Sequence, residues 1–231
     1  MIKNMASIFC DGACSGNGTR AAYGGWAWAF WPSLASGEPT YYGAGKLKTI
    51  ANGCPVASTN QRAELTALLE SLRWAAAHPE IKLTIYTDSM YAINCTSKWG
   101  PGWKRKGWNR GNGSGEPLMN LDIIKPLVEI WRPCWALQHV RGHQTGSGPE
   151  VHGNNWVDRA AVAAARGDPI ISHSAAAVVK EDVFALDIPT SPVVQDVIEH
   201  VPADTGCPVK AVKKIVKVAD VKQADIRRWF G

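Results

Sequence analysis

Along the chain the spacing of apolar residues switches between period two and period three-to-four, and the switches predict the elements. Ile8, Phe9 and Cys10 form a continuous apolar run that delivers Asp11 and breaks at Gly12, the pattern of a buried strand entering a turn marked by Gly16 and Gly18. Trp26, Trp28 and Phe30 alternate through Tyr23 to Trp31, a second strand, and Thr40 to Ile50 reads as a third, completing an antiparallel meander. The period then lengthens: Leu65, Leu68, Leu69, Leu72 and Ala76 fall on one helical face, opened by the capping-box form Ser58-Thr59-Asn60-Gln61 and closed at His78-Pro79. Leu83 to Thr87 is a short strand, and Asp88-Ser89 caps a helix carrying Tyr91, Ala92, Cys95 and Trp99. Beyond a basic excursion, Pro117 to Trp131 is helical, Cys134 to Arg141 a strand, Gly142 to Gly153 a polar loop and Asn154 to Arg166 an Ala-rich helix. A meander followed by β-α-β crossovers predicts an α/β fold, a five-stranded mixed sheet flanked by helices.

Charge divides the chain into three. Residues 1–167 hold seventeen Lys and Arg against eleven Asp and Glu; residues 168–206 hold only Lys180 against seven acids; residues 207–231 hold seven bases against two acids. We read these as a folded domain (1–167), an acidic linker (168–206) and a basic tail (207–231). In the tail Val209, Val212, Val216, Ala219, Gln223, Ile226 and Phe230 follow an amphipathic helical spacing. A basic body and a basic tail suit a polyanion touched at two places. The tail suits equally a helix packed on the body, a nucleic-acid anchor or a self-association stripe. Six Cys with no Cys-x-x-Cys pair suggest free thiols in a reducing compartment, and no apolar stretch has the length of a signal peptide or a membrane span, so a cytoplasmic protein with no membrane partner is expected.

Four acids stand out by position: Asp11 and Asp88 at strand ends, Glu64 in an early helical turn and Asp158 in the last helix. Singly, each is what a turn cap, a helix cap, a dipole-facing Glu or a solvated helix face would supply. Together they would repel one another unless cations offset the charge. Hard oxygen ligands favour Mg²⁺, and two such ions about 4 Å apart suit phosphodiester hydrolysis. The stretch Trp99 to Arg110 interleaves Lys104, Arg105, Lys106 and Arg110 with Trp99, Trp103 and Trp108.

Five pieces in order now resemble the type 1 ribonucleases H, which cut the RNA strand of RNA/DNA hybrids. They are Phe9-Cys10-Asp11-Gly12 with Gly16-Asn17, Thr59-Asn60-Gln61-Arg62-Ala63-Glu64, Tyr86-Thr87-Asp88-Ser89, Val140-Arg141-Gly142-His143, and Asn154 with Asp158. The resemblance covers roughly residues 5–167 and, with the tryptophan-flanked basic stretch, is closer to cellular enzymes than to retroviral domains. It implies an RNase H-like fold with a C-terminal extension and two Mg²⁺ ions for which Mn²⁺ can substitute. It also implies that Asp11 bridges both ions, that Asp158 holds one, that Glu64 and Asp88 hold the other, and that His143 assists proton movement or product departure. Asn17, Asn60 and Gln61 match positions that touch RNA sugars and bases, and Thr59 and Asn120 match a pocket for a DNA phosphate. Lys104, Arg105 and Lys106 would meet phosphates, with Trp103 and Trp108 on DNA sugars or packing the excursion onto the body.

Three departures accompany the match. Ala57 stands where some eukaryotic relatives place an Arg in the phosphate pocket. The His143 to Asp158 segment reads as long and carries His152, so either histidine could act. The N-terminal hybrid-binding domain of many eukaryotic members is not expected. Two other readings keep the fold: a DNA-cutting enzyme like related integrases, against which Asn60-Gln61 and the basic excursion argue, and a binding module without catalysis, against which the four acids argue.

Overall fold

The computed structural model describes residues 6–34, 37–51, 53–110 and 117–170. The acidic linker beyond residue 170 and the basic tail lie outside the described residues. Strand β1 (Ala6–Ser15) pairs antiparallel with β2 (Tyr23–Trp31), and β2 with β3 (Tyr41–Lys46). A two-stranded ribbon, β4 (Ile50–Ala51) with β5 (Cys54–Pro55), leads into helix α1 (Asn60–Ala77). Strand β6 (Leu83–Thr87) runs parallel to β1. Next comes one helical run, α2 (Met90–Ile93), a π-helical turn (Asn94–Trp99) and α3 (Gly100–Arg105). Helix α4 (Leu121–Ile130), strand β7 (Ala136–His139) and helix α5 (Pro149–Arg166) complete it, and the main sheet has the order β3-β2-β1-β6-β7. This is the mixed five-stranded α/β architecture expected from the sequence.

Period-two alternation sorts the core. Even-numbered Trp28 and Phe30 of β2 pack on Trp74 of α1 at ring distances of 5.6 and 4.6 Å, while odd-numbered Trp31 meets Trp156 of α5 at 6.1 Å. On β1, Phe9 stacks on Tyr86 and faces Gly153 of α5, whereas Gly12 faces Ala63 of α1. β2 is therefore buried on both sides, as a continuous apolar strand should be. Arg62, itself buried, is clamped by both carboxylate oxygens of Asp122 at 2.9 and 2.6 Å, tying α1 to α4.

Boundaries differ from the sequence expectation in six places. β1 does not break at Gly12 but pairs with β2 out to Ser15; Gly12 is there because α1 approaches, not because the chain turns. β3 ends at Lys46, where Leu47 turns inward and its N–H donates to the Gly24 carbonyl (2.8 Å), so Ile50 belongs to the separate ribbon. Thr59, not Ser58, caps α1, its hydroxyl accepting from Arg62 N–H at 3.2 Å. Helix α4 begins at Leu121, four residues after Pro117, behind a left-handed Asn120 (φ 60°). β7 spans only Ala136–His139, inside the expected Cys134 to Arg141. Helix α5 begins at Pro149, a residue suited to a first helical turn, so the expected long loop shrinks to residues 142–148 and His152 is helical.

Candidate active site

β1 and β6 are hydrogen-bonded only as far as Phe9 and Tyr86. Asp11 and Asp88 each lie two residues beyond that last pair, where the two parallel strands part, and α1 brings Glu64 into the opening. One carboxylate oxygen of each of Asp11, Glu64 and Asp88 lies within 4.8 Å of the other two; no other such group of His, Cys, Asp or Glu occurs among the described residues. Asp158, on α5, stands outside the trio yet acts on Asp11 and Asp88 electrostatically. His143 Nδ1 lies 3.9 Å from Asp158 Oδ2, with its ring in solvent and its backbone left-handed (φ 50°). His152 is directed elsewhere, its Nε2 meeting the Gly37 carbonyl at 2.5 Å.

The trio is electrostatically loaded. Burial, then Asp88 and Glu64, push the Asp11 carboxyl up to about 8, although the Gly12 N–H donates to its Oδ1 at 2.7 Å. Burial and Asp88 push Glu64 up to about 7. Asp88 is raised by burial and by Asp158, and lowered by His143 and His139. Buried oxygens Glu64 Oε2 and Asp88 Oδ1 accept no hydrogen bond. Hard oxygen donors, crowded and half-desolvated, with two buried oxygens left without partners, fit a divalent cation.

Two further residues lie against Asp88. His139 Nε2 lies 3.1 Å from the Asp88 carbonyl oxygen, and a Cβ on Gly142 would overlap Asp88 Oδ2, so only glycine lets the carboxylate rest against that turn. The Gly142 position belonged to a recognised motif; His139 carried no signal of its own.

These raised values set a pH dependence. A carboxyl whose folded-state pKa lies above its unfolded value holds extra protons in the native state, so this contribution to metal-free stability is lost as pH rises from about 4 to about 8. The melting temperature without metal is expected to fall between about pH 5 and 8 and to recover on adding a divalent cation at the upper end, as scanning calorimetry would show. A metal-free melting temperature that rises across that range would contradict the assigned shifts.

The residues expected at a nucleic-acid surface fall in two places. Asn17 Oδ1 accepts from the Asn60 N–H at 3.2 Å, joining the β1–β2 turn to the start of α1, where Gln61 is exposed. Thr59 and Asn120 converge on Arg62, whose guanidinium donates to Asn120 Oδ1 at 3.3 Å. Ala57 is exposed nearby, and the cation in this corner, Arg62, is already held by Asp122. Lys104, Arg105 and Lys106 are exposed at the end of α3. Trp108 packs under Lys125 (5.6 Å to the ring), which fits a packing role. Trp103 lies 5.8 Å from Trp99, which is 39% exposed.

A family model described as RNase H matches residues 3–166. The chain belongs to the ribonuclease H family. Ribonuclease H of Cyanothece sp. is 36% identical over 152 residues, covering 65% of this chain and 85% of that protein. Ribonuclease H of Thermosynechococcus vestitus is 32% identical over 170 residues, covering 73% and 94%. Among solved structures, a PFV RNase H domain matches with a TM-score of 0.57 at 22% identity over 71% of this chain and 96% of that one. LC9-RNase H1, a type 1 RNase H with the type 2 active-site motif, matches with 0.53 at 24% identity over 72% and 74%. These two likenesses show the RNase H fold, and the clustered carboxylate trio is consistent with an active site of this family. Among the described residues no helix is long and apolar enough to cross a membrane.

Proposed function

We propose that this chain is an endonuclease that hydrolyses the RNA strand of RNA/DNA hybrids. The observation that carries the reading is the convergence of Asp11, Glu64 and Asp88, with unpartnered buried oxygens, in a chain of this family. Asp11, Glu64 and Asp88, with Asp158 alongside, would hold two Mg²⁺ ions, replaceable by Mn²⁺. Bound there, the ions supply an activated water and charge stabilisation at the leaving oxygen. The protein's own part is to hold four carboxylates deprotonated and aligned, and to place the substrate. His143, exposed beside Asp158, is positioned to take up or release a proton at its Nδ1. Asn17, Asn60 and Gln61 offer contacts that tell RNA from DNA at the 2′-hydroxyl, and Thr59 and Asn120 a DNA phosphate contact. Free Cys10, Cys14, Cys95 and Cys134 support a reducing compartment such as the cytoplasm. The basic tail would add a second nucleic-acid contact or a contact with another copy of the chain.

A labelled RNA strand offered alone, paired with RNA and paired with DNA, in Mg²⁺, tests this reading. Cleavage confined to the hybrid is expected; binding without cleavage, or cutting of the DNA strand, would overturn it. Replacing Lys104, Arg105 and Lys106 by Ala should weaken hybrid binding and lower the slope of log K against log salt by up to about 0.9 for each phosphate no longer met. An unchanged slope would show that these side chains do not meet phosphates.

A further inference from the structure

One feature of the molecule has no part in the chemistry above. A cavity of about 370 Å³ opens near the far end of β1, lined in part by Tyr23, Lys46, Thr49, Ser58 and Arg166. Tyr23 pairs with Ser15, four residues beyond Asp11 on the same strand, so the cavity lies roughly 13 Å from the acids at a strand rise of about 3.3 Å per residue. The Asn17 to Asn60 hydrogen bond ties the turn that follows Ser15 to the start of α1, and Ser58, in the cavity lining, precedes Asn60 by two residues. The cavity thus adjoins, in sequence, the two segments that carry the residues proposed to read RNA sugars.

Its chemistry suits one unit of a nucleic-acid strand. Lys46 and Arg166 are exposed, and among the described residues neither is paired with a carboxylate. Two unneutralised cations at one cavity favour an anion. Tyr23, 46% exposed, offers a ring face and a hydroxyl at the same place. Ser58 and Thr49 add hydroxyls. A purely structural account exists for Lys46: its Nζ would lie 2.8 Å from a Cβ on Gly167, over the end of α5, where a cation offsets the helix dipole. The same account covers Arg166, in the last turn of α5, but it does not explain Tyr23 or the cavity.

Resting on the hybrid-cleaving reading, we propose that this cavity is a subsite for a backbone phosphate of the RNA strand, a few nucleotides from the bond that is cut. Lys46 and Arg166 take the phosphate and Tyr23 lies against the adjoining sugar or base.

Steady-state cleavage by the full chain with Lys46→Ala/Arg166→Ala tests this on two hybrids, one ending before the cavity and one extending well past it. On the long hybrid KM should rise by about tenfold near 0.1 M salt with kcat retained, and the salt slope should drop by up to about 0.9 for each cation removed from the phosphate. On the short hybrid KM should match wild type. An equal effect on both lengths, or an unchanged slope on the long one, would overturn the subsite and leave Lys46 as a helix cap. If the double variant does not fold, Arg166→Ala alone carries the same length test, and Lys46→Arg, which keeps the cation, should leave KM on the long hybrid at the wild-type value. Wild-type protein that cuts no hybrid would instead sink the reading beneath the proposal, so the two failures are distinguishable.

Discussion

Asp11→Asn is expected to lower hybrid cleavage by at least about 10³-fold while raising the melting temperature of the metal-free protein. Losing about 4 kcal/mol of transition-state stabilisation corresponds to that factor. Asp11 is the most buried of the acids, and burial with its two neighbours already pushes its carboxyl to about 8, so its charged form is costly until a cation arrives. Asn keeps the size and can keep an oxygen facing the Gly12 N–H, which lies 2.7 Å from Asp11 Oδ1. It removes the charge that repels Glu64 and Asp88. A gain of roughly 5 °C near pH 8, measured without metal, is the expected size, and the fall of melting temperature with pH should flatten. Turnover close to wild type in Mg²⁺ would sink the metal assignment, and a lower metal-free melting temperature would sink the electrostatic one.

Gly12→Ala should strongly destabilise the domain. A Cβ there would overlap the Ala63 carbonyl carbon and the Glu64 nitrogen, both backbone atoms of α1 that cannot swing aside. Either the helix lifts off the sheet or the strand bends. Overpacking against movable side chains costs about 1 to 3 kcal/mol, and against backbone about 3 or more is expected. Because the displaced atoms carry Glu64, the variant should also lose activity under conditions where it remains folded. Urea unfolding and turnover at low temperature read the two effects separately. An unchanged unfolding midpoint would mean that α1 is free to retreat.

The same glycine shows what the sequence can and cannot say. Gly12 was legible as a special position but not as the right kind of special, since a turn glycine and a close-approach glycine look alike until the partner helix is placed. The alternation of Trp26, Trp28 and Phe30 and the helical spacing of Leu65 to Ala76 reported the sheet and α1 correctly, because each pattern is the direct imprint of one buried face. The trio was legible because each acid follows or opens a well-marked element. Helix α5 was read too short because Glu150 and His152 on its first turn and a half leave no apolar stripe to detect. The Arg62 to Asp122 clamp was missed because sixty residues separate the partners and a charge in a helix defaults to solvent.

The π-helical turn between α2 and α3 has a consequence for how the basic surface is aimed. Thr96 and Ser97 hydroxyls donate to the Ala92 and Ile93 carbonyls, 2.9 Å each, the kind of side-chain bond that competes with a regular helical ladder. Gly100 closes the turn, with no room for a Cβ against the Cys95 carbonyl or Val128 of α4. One surplus residue in a helix rotates everything after it by about 100° relative to an uninterrupted α-helix. The azimuth of Trp103 and of Lys104 to Lys106 about their own axis is thus set by a single-residue insertion upstream. Deleting that residue would keep every basic side chain in the protein and point the patch a quarter-turn away.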